Sequence, residues 1–161
     1  MIRSLLMGLV AGARSMTPLA VVANAARYGS LPPGGDAPKF LANPLVSLGA
    51  TALAAYELVG DKRRSAPDRI IWPAILARAA TAAFAGAALV PRRQRYAAAA
   101  LAGATAVIAS YATFTARMQA MEKHSQLSTG LVEDALTVSA AITAALAPMP
   151  ASLTHFTEPR L

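Results

Sequence analysis

Five ionisable side chains fall inside apolar stretches of this chain: Arg14, Glu57, Arg78, Glu133 and Asp134. A charged residue at the centre of a membrane helix costs roughly 2.5–3.5 kcal/mol on insertion scales, so in lipid each would have to turn inward and find a partner. Two arginines and three carboxylates can satisfy one another. The same set can carry a proton, or hold a small ion or polar solute. Arg14 stands in Gly12-Ala13-Arg14-Ser15-Met16-Thr17-Pro18, a polar interruption whose hydroxyls can hold water or an anion and whose proline breaks helical hydrogen bonding. With Asp61 and Lys62, which close the Glu57 segment, the candidate substrate- or ion-binding residues are Arg14, Ser15, Thr17, Glu57, Asp61, Lys62, Arg78, Glu133 and Asp134.

Their spacing separates their roles. Glu57 and Asp61 are four residues apart and share one helical face. Both lie near a helix carboxyl end, where the dipole disfavours anions, so either a cation such as Arg78, Lys62 or Arg14 is nearby or one carboxyl stays protonated, which makes Glu57 the best proton-carrying candidate. Glu133 and Asp134 are adjacent and point about 100° apart, so one can face the bundle while the other caps the helix or reaches water. Plainer roles compete with these: a hydrated interfacial carboxylate for Glu57, helix-start stabilisation for Glu133 and Asp134, and a structural ion pair for Arg14. Tyr111, Thr113 and Thr115 carry little weight, since hydroxyls on membrane helices usually bond their own backbone. His124 and His155 lie in separate polar segments and suggest no metal site. No nucleotide loop, zinc-protease motif or nucleophile elbow occurs, so no catalytic residue, metal or cofactor is assigned.

The rest of the chain must carry these charges at depth. It has 161 residues, enough for one domain, of which 55% are hydrophobic and only 14% charged, too few to coat a soluble globule. The apolar residues are mostly Ala, Leu and Val, which suits helices packed closely through small side chains. With no cysteine, disulfides and thiolate chemistry are excluded. The net charge of +7 sits in short clusters between apolar runs, the layout of membrane-protein loops, and no basic face interleaved with aromatics points to nucleic acid.

The expected fold is all-α: a polytopic integral membrane helical bundle of about five transmembrane segments with a kinked or broken first helix, over one domain, 1–161. The first segment, 4–26, begins in a signal-like stretch and is read as a span kinked at Pro18, with Gly8 and Gly12 forming a G-x-x-x-G pair. A re-entrant first segment, with Pro18 turning the chain back, is the alternative. A loop dense in Pro and Gly follows. Asn43-Pro44 then opens a helix over 43–60, and Ser65-Ala66-Pro67-Asp68 opens another over 66–90, with Trp72 as an interfacial anchor and Pro91 as the stop. Segments over 96–117 and 130–147 flank a polar stretch, 118–129, read as a loop or short surface helix. In the five-span arrangement Arg3 falls on the side opposite Arg27, and basic residues divide seven against six. That fixes no orientation, and leaves room for insertion both ways and for a homo-oligomer such as a dimer.

The segments Gly12-Ala13-Arg14-Ser15-Met16-Thr17-Pro18, Glu57-Leu58-Val59-Gly60-Asp61-Lys62 and Glu133-Asp134 together resemble the bacterial integral-membrane family called domain of unknown function 4126. The pattern departs at Arg64, where that family often has a proline. The resemblance implies a helical membrane protein and no established activity. The expected setting is thus the lipid bilayer of a bacterial inner (cytoplasmic) membrane, crossed several times. The expected function is a small transporter or channel for a small solute or ion through a charged intramembrane cavity. The alternative is a structural or assembly subunit of a membrane complex, whose buried charges would be satisfied directly. A membrane enzyme comes third, since paired carboxylates can do acid–base work but no substrate signature accompanies them.

Overall fold

A computed structural model describes residues 1–60, 71–121 and 126–146. Among them the chain forms six α-helices: α1 Ile2–Ala13, α2 Thr17–Arg27, α3 Pro44–Gly60, α4 Trp72–Ala88, α5 Arg95–Met121 and α6 Gln126–Leu146. Short 3-10 turns, Lys39–Ala42 and Arg92–Gln94, precede α3 and α5. The described residues contain no strand, and two helical stretches, Arg92–Ala120 and Ser128–Leu146, are long and apolar enough to cross a membrane.

The first apolar segment is broken, as its composition predicts, but the break is displaced from the expected position. Pro18 lies within the first turn of α2, and α1 ends at Ala13 with Arg14 extended at φ −140° and ψ 108°. The cause is local. Proline has no N–H to donate, and its ring clashes with the carbonyl four residues earlier, which here is that of Arg14. The helix therefore ends before the proline and restarts around it.

The two halves then run in opposite directions. At one end, Arg3 at the start of α1 donates to the carbonyls of Ala144 and Ala145 near the end of α6. At the other, Arg14 meets Asp134, eight residues into α6. From Thr17 the chain heads back: Ala20, Val21, Asn24, Ala25 and Tyr28 line a groove with Ile142 and Leu146. Helices α1 and α2 are thus the arms of a splayed hairpin, with α6 packed against both. The returning course is the alternative in which the chain turns back, rather than the kinked span over 4–26, and it places Arg3 at the same end of the bundle as Arg27. Each arm, of 12 and 11 residues, is about 16–18 Å long, whereas the 27 residues of α5 extend about 40 Å.

Close helix contacts hold the α1 arm. A Cβ on Gly8 would lie 2.6 Å from the Ala102 carbonyl oxygen, and one on Gly12 would lie 2.4 Å from the Ala109 Cβ. Gly8 and Gly12 therefore lie directly on α5, which runs parallel to α1. Gly86 of α4 closes the same junction, where an added Cβ would meet Ala102 at 2.7 Å and Ser4 at 3.1 Å. Ser4 Oγ bonds the Gly86 carbonyl at 3.0 Å. Such contacts need small residues because dispersion attraction falls away once backbones separate.

The remaining elements differ from expectation mainly at their ends. Asn43 caps α3 as its sequence predicts, its Oδ1 accepting from the Leu45 N–H at 2.8 Å. Helix α5 continues to Met121 and α6 begins at Gln126, so both ends of the stretch read as a loop, 118–129, are helical. Polar residues there are compatible with helix, whose backbone bonds do not depend on apolar side chains. Helix α4 starts at Trp72, with Pro73 in its first turn. The expected cap at 65–68, the charged pair Asp61 and Lys62, both histidines and the tail from 147 lie outside the described residues.

Candidate functional site

The hairpin tip gathers most of the charges singled out in the sequence. Arg14 is 0% exposed although it is the largest fully buried side chain among the described residues. Its Nε and Nη2 both donate to Asp134 Oδ1, the former at 2.7 Å. Glu133 joins from the adjacent position, with Oε2 3.9 Å from Arg14 Nη2. On its other side Glu133 accepts from Arg117 Nη1 of α5 at 3.2 Å. Arg14, Asp134, Glu133 and Arg117 thus form one chain of opposite-charge contacts, the arrangement that offsets the desolvation of each member.

Glu57 meets the same tip from α3 but has no side-chain cation as partner among the described residues. Its Oε1 accepts from both the backbone N–H and the hydroxyl of Ser15, each at 2.8 Å, and its Oε2 accepts from the Met16 N–H at 2.8 Å. The Met16 N–H belongs to the cap position of α2 and the Ser15 N–H to the non-helical break before it, so neither has an acceptor within the helix. The positive end of the α2 dipole favours a carboxylate at this place. Among the described residues Glu57 is thus held by the start of α2, which the sequence concealed because the direction of α2 was unknown; Lys62, one of its three expected cations, lies outside them.

The other arm's end is satisfied from α5. Thr113 Oγ1 donates to the Gly12 carbonyl at 3.1 Å while also bonding the Ala109 carbonyl of its own helix at 2.8 Å. Thr115 bonds only its own backbone, at the Tyr111 carbonyl. Thr17 is buried at the start of α2, and its Oγ1 has no hydrogen-bond partner among the described residues. Arg78 is buried in α4 and engaged with other groups.

The assembled tip therefore contains Arg14, Ser15, Glu57, Glu133 and Asp134, with Thr17 beneath. Arg117, read in the sequence as a surface charge, is a member that was missed. Its signal was available: a short connection between antiparallel α5 and α6 brings residues on either side of it next to each other. Farther along the hairpin, α2 and α3 are joined by polar contacts, Asn24 Nδ2 to Thr51 Oγ1 at 2.9 Å and Arg27 Nη1 to Ser47 Oγ at 3.3 Å.

These same tip segments carry the resemblance noted in the sequence, and a comparison of the whole chain decides it. The family model described as Domain of unknown function (DUF4126) matches residues 2–156. The chain belongs to this family. No curated protein and no solved structure matches it. In this DUF4126 chain Arg14 and Ser15 of the break between α1 and α2 thus meet Glu57 of α3 and Glu133 and Asp134 of α6. Chemically, the site immobilises charge: a guanidinium buried against a carboxylate, and a second carboxylate bound to two backbone N–H groups and one hydroxyl.

Proposed function

We propose that this DUF4126 chain is a multi-pass protein of the bacterial cytoplasmic membrane, and that its hairpin tip controls passage of a small solute or ion. The outer faces of the helices support the membrane setting. Leu45, Leu48 and Leu53 of α3, Leu76 of α4, Ile108 of α5 and Leu136 of α6 are all exposed, an apolar surface too extensive for water and natural in lipid. Trp72, 75% exposed, opens α4, and Tyr96, 73% exposed, lies just beyond its far end. The 17 residues of α4 between them extend about 25 Å, close to the hydrocarbon thickness that interfacial aromatics bracket. In that setting the short arms of the hairpin enter and return, and the non-helical backbone at 14–16 lies at depth. Such backbone is tolerated only where its polar groups are satisfied by protein or line a cavity.

The observation that carries the transport reading is the Glu57 carboxylate on the amino terminus of α2. The protein's own side chain occupies a seat suited to an anion or polar solute, and it belongs to α3, which packs mainly on α2 rather than on the α1–α4–α5 core. A shift of α3 would withdraw Glu57 and uncover the N–H groups of Ser15 and Met16 beside the buried Thr17 hydroxyl. In liposomes under an imposed proton, potassium or chloride gradient, Glu57→Gln is expected to lower flux roughly tenfold, the scale of one charge-assisted hydrogen bond, while the protein stays folded. Unchanged flux removes Glu57 from the mechanism.

The full burial and direct pairing of Arg14 favour a second reading, a structural or assembly subunit. That reading expects no intrinsic flux from the wild-type protein under any of the three gradients, and loss of a co-purifying membrane partner in Arg14→Ala.

A further inference from the structure

A groove of about 400 Å³ runs on the outside of the bundle between α4 and α5, remote from the hairpin tip. Its walls are mostly methyl groups: Ala80, Ala83 and Ala87 from α4 and Ala99 from α5, with Phe84 at one side. The Phe84 ring is tilted against Phe40 at 5.9 Å between centroids, which fixes that wall. At the end of the groove nearest the α4–α5 connection the lining becomes polar, with Asp36, Arg95 and Tyr96. The run Arg92-Arg93-Gln94-Arg95 supplies three cations there. Asp36 is already paired with Arg92, at 2.9 Å.

Arg95 is held ready for a further acceptor. Its guanidinium stacks 4.7 Å over the Tyr96 ring, and one nitrogen donates to the Tyr96 hydroxyl at 2.7 Å. A guanidinium has five N–H donors in a fixed fork, so most of them have no acceptor among the described residues. A planar fork favours phosphate, and the stacking holds the side chain in place.

We propose that this groove seats an anionic glycerophospholipid, one acyl chain lying along the alanine wall and the phosphate bound by Arg95 with Tyr96. An apolar slot that ends in Arg95, beside an Asp36 already neutralised by Arg92, matches a molecule with a long apolar chain joined to a negative head. A second copy of the chain fits less well, because its helix would bring the same positive cluster or leave these arginines unanswered. The inference rests on the membrane reading above, since a lipid can occupy this groove only if α4 and α5 face the bilayer.

The test uses the full chain, delipidated in detergent and titrated with phosphatidylglycerol or phosphatidylcholine, with bound lipid counted by native mass spectrometry. Wild type is expected to retain phosphatidylglycerol in preference. Arg95→Gln lowers that retention roughly tenfold, the loss expected for a charge-assisted contact. Ala80→Phe, at an exposed position where the fold tolerates bulk, lowers retention of both lipids by filling the slot. Arg27→Gln is the matched control, since Arg27 lies at the same end of the bundle and stacks on Tyr28 at 5.3 Å but does not line the groove. Equal loss in Arg95→Gln and Arg27→Gln would overturn the site in favour of general surface attraction. Displacement of the lipid by inorganic phosphate alone, or protection of the groove only in a dimer, would overturn the assignment to lipid. A chain that stays monodisperse in water without detergent would fail the membrane reading itself, whereas a detergent-dependent chain with no phosphatidylglycerol preference would fail this proposal alone.

Discussion

Replacing Arg14 with alanine is expected to cost about 3–5 kcal/mol, the scale for removing one partner of a buried ion pair and a large fraction of the roughly 5–15 kcal/mol that holds a typical domain folded. The reason is the state in which Asp134 is left. Its Oδ1 accepts from both Nε and Nη2 of Arg14, so both bonds disappear together and a carboxylate stays buried without them. Arg14→Lys is expected to recover only part of the loss, because a single ammonium cannot reproduce two donors set by a planar fork. The double variant Arg14→Met/Asp134→Leu removes the charge on both sides, and replacing a buried pair by apolar groups of similar volume is often neutral for stability. Size-exclusion profiles and thermal unfolding in detergent measure each outcome. A stable double variant that has lost flux assigns the pair to transport, and one that retains flux assigns it to scaffolding.

The second large effect belongs to Gly12. A methyl group there would lie 2.4 Å from the Ala109 Cβ, 2.8 Å from the Ala109 carbonyl carbon and 2.9 Å from the Ser110 nitrogen. Ordinary carbon contacts are about 3.5–4.0 Å, and two of these three neighbours are backbone that no rotamer change can move aside. Gly12→Ala is therefore expected to destabilise by about 1–3 kcal/mol through overpacking, after any gain from the better helix former has been subtracted. Gly12→Leu is expected to separate α1 from α5 outright. Adding Ala109→Gly to Gly12→Ala removes the nearest clash and leaves the backbone ones, so it restores stability only in part. Gly49 of α3 provides the opposite sign, since an added Cβ there meets nothing within 4 Å and Gly49→Ala gains up to about 1 kcal/mol of helix propensity. Thermal unfolding of the four variants checks both the size and the sign.

These two sites show what the sequence disclosed and what it withheld. That Arg14 needs a carboxylate in lipid follows from its type and surroundings alone, and Asp134 with Glu133 supplies it. The Gly8–Gly12 pair, a common pattern by itself, proves to be an actual helix contact. The cap at Asn43 and the polar break at 14–16 were equally legible, because each rests on local backbone chemistry. Direction was not. A break marks where helical hydrogen bonding stops, but the angle at which the chain leaves depends on α3 and α6, residues 40 to 130 positions away. The Ser15 and Met16 donors to Glu57 were not legible for this reason, since the helix start they precede exists only once α2 turns back, and Lys62 lies outside the described residues. Arg117 closes the expected 96–117 segment, and its pairing with Glu133 was signalled by the short connection to the next segment rather than by hydropathy.

The hairpin itself can be measured as a distance. The chain has no cysteine, so Ile2→Cys and Tyr28→Cys, both at exposed positions, can carry nitroxide labels without background. Both arms pack on α6, and helices in contact lie about 8–10 Å apart, so the two label sites are expected below about 30 Å by double electron–electron resonance in reconstituted bilayers. A separation near 40 Å, the length of about 26 residues of continuous helix, would contradict the returning hairpin and the charged tip built on it.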